Sequence, residues 1–361
     1  MRAAVLNAAP GRLDVEDLEL DTPGPREVVV RTAAVGLCHS DLQYIDAHWS
    51  TALPEVLGHE ASGVVEAVGT EVTAAAPGDH VVTCMTAFCG RCRYCVEGRL
   101  TLCVDHARLR TRPRPALLNH RGVAVGRMGG IGAFAETMLV HENSVVPIGR
   151  DIPLDRAALL GCAVITGVGA VWHSARVRPG ATVAVIGCGG VGLAVVQGAR
   201  LAGAGRIIAV DIDEHSLEQA RRLGATAGVN ASTEDVVDAV RRLSSGGVDY
   251  AFEAIGRGAT VEQAFAVLAP GGVATVLGMV PDDQPLRITA SELFFREKRL
   301  QGSLLGSHHF PADIPRLTEL YAQGRLELDG MISRRIGFDD LESGLASLRE
   351  GGVNRVVVEF A

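Results

Sequence analysis

The chain has 361 residues, of which 47% are hydrophobic and 21% are charged. This composition excludes a disordered chain and a mini-protein, and the length predicts two domains with substantial cores. The formal net charge is −8, from 34 basic and 42 acidic residues, and no block rich in lysine or arginine stands out. We therefore expect no nucleic-acid partner.

The longest apolar stretch runs from Ala157 to Trp172 and is interrupted by Gly161, Gly167 and Gly169. It is shorter than a bilayer span, so we expect no membrane anchor. The segment Met1–Ala4 leads directly into an alternating strand pattern, without the apolar run and cleavage site of a secretory signal. The cytoplasm is the expected compartment.

The first part of the chain, up to about residue 161, contains short apolar segments separated by Pro-Gly and Gly-Asp turn signals. This pattern predicts a mainly β domain. The segment Arg108–Arg121 is polar and contains proline, and we predict a surface loop there. The predicted strands are Ala3–Leu6, Val28–Val35, Gly63–Val68 and His80–Thr83.

From Ala181 onward, apolar runs alternate with helical periodicity. This order of elements predicts a doubly wound parallel sheet with helices on its faces. The predicted strands are Thr182–Ile186, Arg206–Val210, Val248–Glu253 and Gly272–Leu277, and the predicted helices are Val191–Ala202, Asp235–Leu243 and Val261–Leu268.

After about Lys298 the sequence predicts one helix, Ile314–Gln323, and a final strand, Val353–Phe360. These two elements are too few for a third domain, so we expect this segment to rejoin the first domain. The predicted division is residues 1–164 for the mainly β domain, 165–297 for the α/β domain and 298–361 for the return.

A glycine-rich turn, Gly187-Cys188-Gly189-Gly190-Val191-Gly192, follows a predicted strand and opens a helix. Such glycines allow a tight turn, approach of a pyrophosphate to the helix N-terminus and close packing of helix on strand. Asp211, at the end of the next strand, is expected to accept hydrogen bonds from adenosine ribose hydroxyls. The acidic segment Ile212–Glu214 favours NAD over NADP. The alternatives are a purely structural turn and a helix-capping role for Asp211.

Four of the eight cysteines form the pattern C-x2-C-x2-C-x7-C. Four thiolates at this spacing predict one closed tetrahedral zinc site, which would hold a loop rather than catalyse. A disulfide pair is disfavoured by the expected compartment, and the spacing alone does not exclude an iron–sulfur cluster. The four residues are Cys89, Cys92, Cys95 and Cys103.

Three further metal-binding side chains, Cys38, His59 and Cys162, lie far apart in the sequence. Their spacing does not bring them together by itself. Taken singly, each cysteine is explained as a small buried residue and the histidine as a hydrogen-bonded turn residue.

The order of the motifs resembles that of the zinc-dependent alcohol dehydrogenases of the medium-chain dehydrogenase/reductase superfamily. The similarity spans nearly the whole chain. It implies an α/β fold with a Rossmann doubly wound parallel sheet domain and a mainly β, GroES-like catalytic domain. The motifs are Gly36–Asp41, Gly58–Glu60, the four cysteines, Gly187–Gly192, Val248–Arg257, Gly302–Gly306 and Asn354–Arg355.

The resemblance implies that Cys38, His59 and Cys162 bind a catalytic zinc with one open position, and that Glu60 is an occasional ligand. Asp41 would orient His59. A zinc-bound alcohol is acidified and can transfer a hydride to the nicotinamide C4.

Other matching positions imply roles toward the cofactor. Thr166 and Val191 would hold the nicotinamide ring, and His39 and Arg355 would face the pyrophosphate. The alternatives are a helix-cap threonine, a core valine, a solvated histidine and a surface arginine.

Ser40 matches the hydroxyl that takes the proton of the substrate. Many relatives continue the proton relay with a histidine where this chain has Gln43. Glutamine does not titrate, so the proton would leave through water, the ribose hydroxyl or a group such as His48.

Five apolar residues match positions that line the alcohol pocket in relatives. They favour medium-chain, allylic or aromatic primary alcohols, although ordinary core packing is the alternative. Relatives that oxidise the glutathione adduct of formaldehyde carry an acid where this chain has tryptophan, which makes that substrate less expected. The five residues are Trp49, Met85, Leu102, Phe134 and Met279.

The sequence thus predicts a zinc- and NAD-dependent alcohol dehydrogenase with two zinc ions per chain, one catalytic and one structural. One alternative is a formaldehyde dehydrogenase acting on a low-molecular-weight thiol adduct. Another is a non-catalytic protein that binds NAD and zinc, which the intact zinc ligands, Asp41 and Ser40 oppose. The long segment between Cys103 and Phe134 resembles that of relatives that are often dimers, so we expect a homo-oligomer, a dimer rather than a tetramer.

Overall fold

The computed structural model describes residues 1–360, which separate into two compact units. The first unit consists of Met1–Cys162, His309–Gly324 and the segment from Ile332 onward. The second unit consists of Ala163–His308 and Arg325–Met331. The chain therefore returns to the first unit at His309, and the predicted return at residue 298 is too early.

The N-terminal segment of the first unit is mainly β. Its strands are β1 (Arg2–Leu6), β2 (Leu13–Leu20), β3 (Glu27–Gly36), β4 (Glu55–Val56), β5 (Glu60–Val68), β6 (His80–Thr83), β7 (Leu117–Asn119), β8 (Ala124–Arg127), β9 (Thr137–His141) and β10 (Val145–Ile148). Its helices are α1 (His39–Ile45), α2 (Arg93–Val96), α3 (His106–Leu109) and α4 (Leu154–Ala158).

The second unit alternates strands and helices. Its helices are α5 (Ala163–Gly169), which continues into a π-helical segment at Ala170–Ala175, α6 (Gly190–Leu201), α7 (Glu214–Leu223), α8 (Val236–Leu243), α9 (Gly258–Ala266) and α10 (Ala290–Phe295). Its strands are β11 (Thr182–Ile186), β12 (Arg206–Asp211), β13 (Ala227–Asn230), β14 (Val248–Glu253), β15 (Leu268–Val276) and β16 (Arg299–Gly302).

The returning segment adds α11 (Phe310–Ala322), β17 (Arg334–Gly337), α12 (Leu341–Glu350) and β18 (Val356–Glu359). The prediction of a single helix in this segment is wrong, because α12 is a second one. Gly344 interrupts its apolar pattern, yet a Cβ there would lie 2.6 Å from Ile336 Cδ1 and 2.7 Å from Leu37 Cδ1. Glycine therefore lets this helix pack closely here, whereas a larger residue would displace the terminal methyl groups of Ile336 and Leu37.

The first unit contains a closed barrel with the strand order β1-β2-β7-β8-β4 and a seven-stranded sheet. The sheet has the order β10-β6-β5-β3-β18-β17, and β9 also pairs with β3. Strand β18 pairs antiparallel with β3, which inserts the C-terminal segment into a sheet built by the N-terminal one. This pairing closes the first unit around its core.

The second unit is a six-stranded parallel sheet with the order β13-β12-β11-β14-β15-β16. This arrangement confirms the predicted doubly wound sheet. Strand β16 forms one edge and pairs with β15. This pairing explains why the predicted boundary at residue 297 assigned β16 to the wrong unit.

The predicted surface loop Arg108–Arg121 is only partly a loop. Strand β7 begins at Leu117, whose side chain is buried, and pairs with β2 and β8. The first two residues of the segment end helix α3, and the part between α3 and β7 is irregular. The polar sequence of this segment therefore did not indicate strand β7, because β7 is positioned by its pairing with β2 and β8 in the barrel.

Among the described residues, no single helix is both long and apolar enough to cross a bilayer. The helical segments 154–161 and 163–175 pass that test of length and composition only as a pair, with a bend of 50° between them.

Glu142 joins two loops of the first unit at a buried position. Its carboxylate accepts hydrogen bonds from the backbone N–H of Thr73 at 3.0 Å and of Ala74 at 3.3 Å, and from Arg26 Nε at 2.6 Å. Burial raises the pKa of Glu142, but these donors outweigh it and hold the pKa below its ordinary value. The ionised carboxylate therefore stabilises the fold.

We expect Glu142→Gln to lower the free energy of unfolding by about 1–3 kcal/mol at neutral pH, because it removes the charge from these hydrogen bonds. The stabilisation is complete above the ordinary pKa of glutamate and is lost as pH falls through the lowered pKa of the folded state. Urea unfolding at several pH values measures this. Glu66→Gln, at an exposed ion pair with Arg31, should change little; equal effects of both substitutions would contradict the prediction.

Candidate active site

The first metal-binding side chain, Cys38, lies where β3 ends and α1 begins. Cys38 is the N-cap of α1 and has an extended backbone, with φ −119° and ψ 147°. Three residues later, Asp41 accepts a hydrogen bond from the Cys38 N–H at 3.0 Å and another from the Gly58 N–H at 3.2 Å. This fully buried carboxylate therefore joins the α1 turn to the segment that carries His59.

His59 is held by a constrained backbone and by Asp41. Gly58 has φ +84°, and a Cβ there would lie 2.6 Å from the ring of Phe134, so only glycine fits. His59 Nδ1 lies 3.3 Å from Asp41 Oδ1, and His59 Nε2 lies 3.3 Å from Cys162 Sγ. One ring nitrogen faces the carboxylate and the other faces a thiol, as in a metal-binding histidine with a supporting carboxylate.

Cys162 enters the cluster from a third segment, after a short 3-10 turn at Leu159–Gly161. A Cβ on Gly161 would lie 2.4 Å from the carbonyl oxygen of Thr83, so glycine permits this approach. The donor atoms of Cys38, His59 and Cys162 all lie within 4.8 Å of one another and all three residues are buried. The structure thus assembles the three side chains that sequence spacing alone could not bring together.

This donor set fits zinc, because two thiols and one imidazole are ligands that Zn²⁺ prefers. A hydrogen bond from Cys162, followed by Arg355 and His59, holds the pKa of Cys38 well below its ordinary value despite burial. The same bond and burial raise the pKa of Cys162. Burial lowers the pKa of His59, but Asp41 and Cys38 more than compensate and raise it. The cluster therefore favours a thiolate at Cys38.

Ser40 adjoins the same cluster. Its Oγ donates to Cys38 Sγ at 3.2 Å and lies 3.2 Å from His59 Nε2. A hydroxyl at this position can exchange a proton with a group bound between the thiol and the imidazole.

Glu60 and Arg355 form a buried ion pair beside the cluster, with Arg355 Nε 3.3 Å from Glu60 Oε1. Arg355 also donates from Nη1 to the carbonyl oxygen of Leu37 at 3.4 Å. A Cβ on Gly36 would lie 2.2 Å from Glu60 Oε1, so this glycine makes room for the carboxylate. The surface-arginine alternative for Arg355 is therefore wrong. The sequence did not indicate the Glu60–Arg355 ion pair, because these two residues lie far apart in the chain.

His39 is the other residue predicted to face the pyrophosphate, and it is exposed at the start of α1. Its position leaves the imidazole accessible to solvent, unlike the buried Arg355. The cofactor roles of both residues remain predictions.

The four-cysteine cluster lies in the first unit around α2. Its four sulfur atoms lie within 4.8 Å of one another. Backbone N–H groups lower the pKa of Cys92 to about 6, whereas burial raises the pKa of Cys95 to about 12. All eight cysteines lie among the described residues and none forms a disulfide, so the disulfide alternative is wrong. Four convergent sulfurs fit a closed tetrahedral metal site.

The glycine-rich turn connects β11 to α6 in the second unit. Gly187 has φ +92°, and a Cβ on Gly192 would lie 1.8 Å from the Gly187 carbonyl oxygen, so both glycines are required by packing. A Cβ on Gly189, the N-cap of α6, would meet no atom within 4 Å. The open space at Gly189 and the start of a helix at Gly190 are features of a phosphate-binding turn.

Asp211 ends β12 and accepts hydrogen bonds from the backbone N–H of Cys188 at 2.7 Å and of Asp213 at 3.0 Å. The capping alternative is wrong, because Asp213, and not Asp211, accepts from the first N–H groups of α7, those of His215 and Ser216. Asp211 is instead half-buried and tied to the glycine-rich turn.

The other predicted cofactor and substrate residues have varied surroundings. Thr166 is buried on α5, and its Oγ1 has no hydrogen-bond partner among the described residues; Val191 is half-buried on α6.

Phe134 is fully buried in the core of the first unit, so the core alternative holds for it rather than an accessible pocket wall. The remaining predicted pocket residues are half-buried: Trp49, Met85, Leu102 and Met279.

Comparison with known proteins decides the family. The family described as "Alcohol dehydrogenase GroES-like domain" matches residues 24–150, and "Zinc-binding dehydrogenase" matches residues 190–323. An NDMA-dependent alcohol dehydrogenase from Amycolatopsis methanolica is 38% identical and the alignment covers 99% of this chain and 98% of that protein. The chain belongs to the zinc-dependent alcohol dehydrogenases of the medium-chain dehydrogenase/reductase superfamily.

Solved structures agree with this assignment. An alcohol dehydrogenase zinc-binding domain protein from Burkholderia ambifaria is 34% identical, with a TM-score of 0.95, and covers 100% of this chain and 98% of its own. Benzyl alcohol dehydrogenase from Acinetobacter calcoaceticus is 32% identical, with a TM-score of 0.92, covering 100% and 99%. These similarities confirm the predicted fold, and the chain is a zinc-dependent, NAD(P)-linked oxidoreductase with alcohol dehydrogenase activity.

We expect Gly161→Ala to reduce metal content and alcohol-dependent reduction of the cofactor, because a methyl group there would push Cys162 away from its two partners. The overpacking should also cost about 1–3 kcal/mol of stability. Metal analysis, thermal unfolding and the rate of cofactor reduction measure the three effects. Gly337→Ala, where a Cβ would meet only one atom, at 4.0 Å, is the control; an unchanged metal content in Gly161→Ala would refute the prediction.

Proposed function

We propose that this alcohol dehydrogenase oxidises primary medium-chain, allylic or aromatic alcohols with NAD and holds two zinc ions per chain. The observation that carries the proposal is the buried convergence of Cys38, His59 and Cys162, supported by Asp41. A catalytic zinc on those three residues and a structural zinc on the four-cysteine cluster account for both groups of donors.

Cys38, His59 and Cys162 would hold the catalytic zinc, which would lower the pKa of an alcohol substrate. Ser40 accepts the proton of that alcohol, since its hydroxyl lies within hydrogen-bond distance of both Cys38 and His59. Gln43 cannot carry the proton further, so the relay continues through water, the ribose hydroxyl of the cofactor or His48. Asp41 keeps His59 oriented throughout, because its carboxylate is fixed by two backbone N–H groups.

The choice of NAD over NADP is supported by Asp211. Its carboxylate is held at the end of β12 by two backbone N–H groups, so it cannot easily turn away from a ligand in the glycine-rich turn. A fixed negative charge accepts hydrogen bonds from ribose hydroxyls and repels a 2′-phosphate. A putative zinc-binding dehydrogenase from Sinorhizobium meliloti, 31% identical with a TM-score of 0.84, is described as bound to NADP, so this preference needs a direct test.

We expect Asp211→Asn to lower kcat/KM for NAD by about tenfold and to raise that for NADP, because the substitution removes the charge but keeps the shape. Steady-state kinetics with both cofactors measure the ratio. Glu218→Gln, which removes an exposed charge from α7 of the same unit, is the matched control. An unchanged ratio in Asp211→Asn would show that another group selects the cofactor.

The proposed substrate class is supported by the apolar character of Trp49, Met85 and Leu102, which are half-buried in the first unit. The similarity to benzyl alcohol dehydrogenase from Acinetobacter calcoaceticus points in the same direction. A thiol-adduct substrate is the second candidate among enzymes, and a protein without turnover is the third.

We expect a panel of alcohols to show cofactor reduction with benzyl, allyl and medium-chain alcohols in the absence of added thiol, and metal analysis to give about two zinc ions per chain. The panel is run with and without an artificial electron acceptor, because a cofactor that stays bound cannot be replaced by fresh NAD. Denaturation and detection of released nicotinamide identify that case. Turnover of formaldehyde only in the presence of thiol would favour a dehydrogenase that acts on the thiol adduct. One zinc ion per chain without turnover would favour a non-catalytic protein that binds NAD and zinc.

The expected partner is a second copy of the chain, and the supporting features lie in the second unit. Helix α10 has no buried residue, and its Phe294 and Phe295 are each 77% exposed. Strand β16, which follows it, is an edge of the parallel sheet. Exposed aromatic rings that precede an edge strand in the sequence support an interface with a second copy of the chain. A dimer rather than a tetramer stays a prediction from the long segment between Cys103 and Phe134. The proposed compartment is the cytoplasm, where metal-binding thiols stay reduced.

A further inference from the structure

A cavity of about 480 Å³ in the first unit is lined by four arginines and by no acidic residue. The other lining residues are proline, glycine, alanine and valine. Part of this wall comes from the arginine-rich segment that precedes β7, and the rest comes from β8 and the residues around it. The arginines are Arg110, Arg112, Arg114 and Arg127.

Two of these arginines, Arg110 and Arg127, are half-buried. Arg110 donates from Nη2 to the carbonyl oxygen of Met85, and Arg127 donates from Nη1 to that of Leu139. Neither forms an ion pair with any residue that the structure describes, although the charge of Glu55 acts on Arg110 at longer range. Burial lowers the pKa of Arg127 to about 10; Glu27 opposes this, and Arg112 and Arg110 lower it further. At neutral pH these charges persist in surroundings that disfavour them.

Arg112 adds an incompletely satisfied guanidinium. Its side chain is only 10% exposed, and it is fixed by Asp21 Oδ2 at 3.1 Å from Nη2 and by Glu27 Oε2 at 3.2 Å from Nε. Its Nη1 is buried and has no hydrogen-bond partner, and the same is true of Arg110 Nε. Asp21 and Glu27 thus hold Arg112 in place beside the cavity.

We propose that this cavity is a binding site for a small organic anion that carries at least two phosphate or carboxylate groups. Guanidinium groups bind the oxygens of such anions through paired hydrogen bonds. A ligand of this charge would neutralise the repulsion between the arginines. The volume is typical of small-molecule sites, and it exceeds what one inorganic anion fills.

The experiment uses the zinc-loaded enzyme with saturating nicotinamide cofactor, so that the anion cannot bind in the dinucleotide site. Calorimetric titration with fructose 1,6-bisphosphate, chosen as the probe, should show saturable binding of one molecule per chain. Uncharged fructose should show none. Because each lost guanidinium removes charge-assisted hydrogen bonds, Arg127→Met and Arg110→Met should each weaken binding about tenfold or more. Arg31→Met, at an exposed ion pair of the same unit, should bind like wild type.

Thermal unfolding without the anion shows whether each variant is folded. If Arg127→Met is strongly destabilised, Arg127→Lys decides, because it keeps the charge but loses the paired geometry and should still bind more weakly than wild type. The proposal is overturned if wild type shows no saturable binding at millimolar bisphosphate. It is also overturned if Arg110→Met, Arg127→Met and Arg31→Met bind as tightly as wild type.

Discussion

The buried carboxylate of Asp41 is the contact on which the first metal cluster depends. It accepts hydrogen bonds from the N–H groups of Cys38 and Gly58 and lies against the imidazole of His59. One side chain thereby fixes the backbone of two separate segments and the orientation of one ring. Such a buried charge is tolerated only because donors surround it. Without it, neither the α1 turn nor the histidine would have a defined position relative to the other.

Glycines perform the complementary task of allowing close approach. Gly58 leaves room for Phe134, Gly161 for the carbonyl oxygen of Thr83 and Gly36 for the carboxylate of Glu60. In the second unit, Gly187 and Gly192 do the same for the turn between β11 and α6. These positions explain why this chain has glycine next to several of its polar site residues. The polar residue supplies the chemistry, and the adjacent glycine supplies the space that brings it into place.

Arg355 differs from Arg110 and Arg127 in how the charge of its guanidinium group is compensated. Arg355 is buried against Glu60, so its charge is compensated within the protein. Arg110 and Arg127 are half-buried and donate to carbonyl oxygens, and neither forms an ion pair. A compensated buried charge is explained by the fold. Two arginines without an ion pair, in a wall shared with two further arginines, favour an anionic ligand in the cavity beside β8.

The sequence by itself determined the features whose signals are local. The four cysteines of the α2 region, the glycine-rich turn with Asp211 and the alternating pattern of the parallel sheet all depend on neighbours in the chain, and family resemblance supplied the remaining metal ligands. Tertiary structure alone decided the Glu60–Arg355 pair, the core position of Phe134, helix α12 despite Gly344 and the arginine-lined cavity. Each of these depends on contacts between segments distant in sequence, and local periodicity carries no record of such contacts.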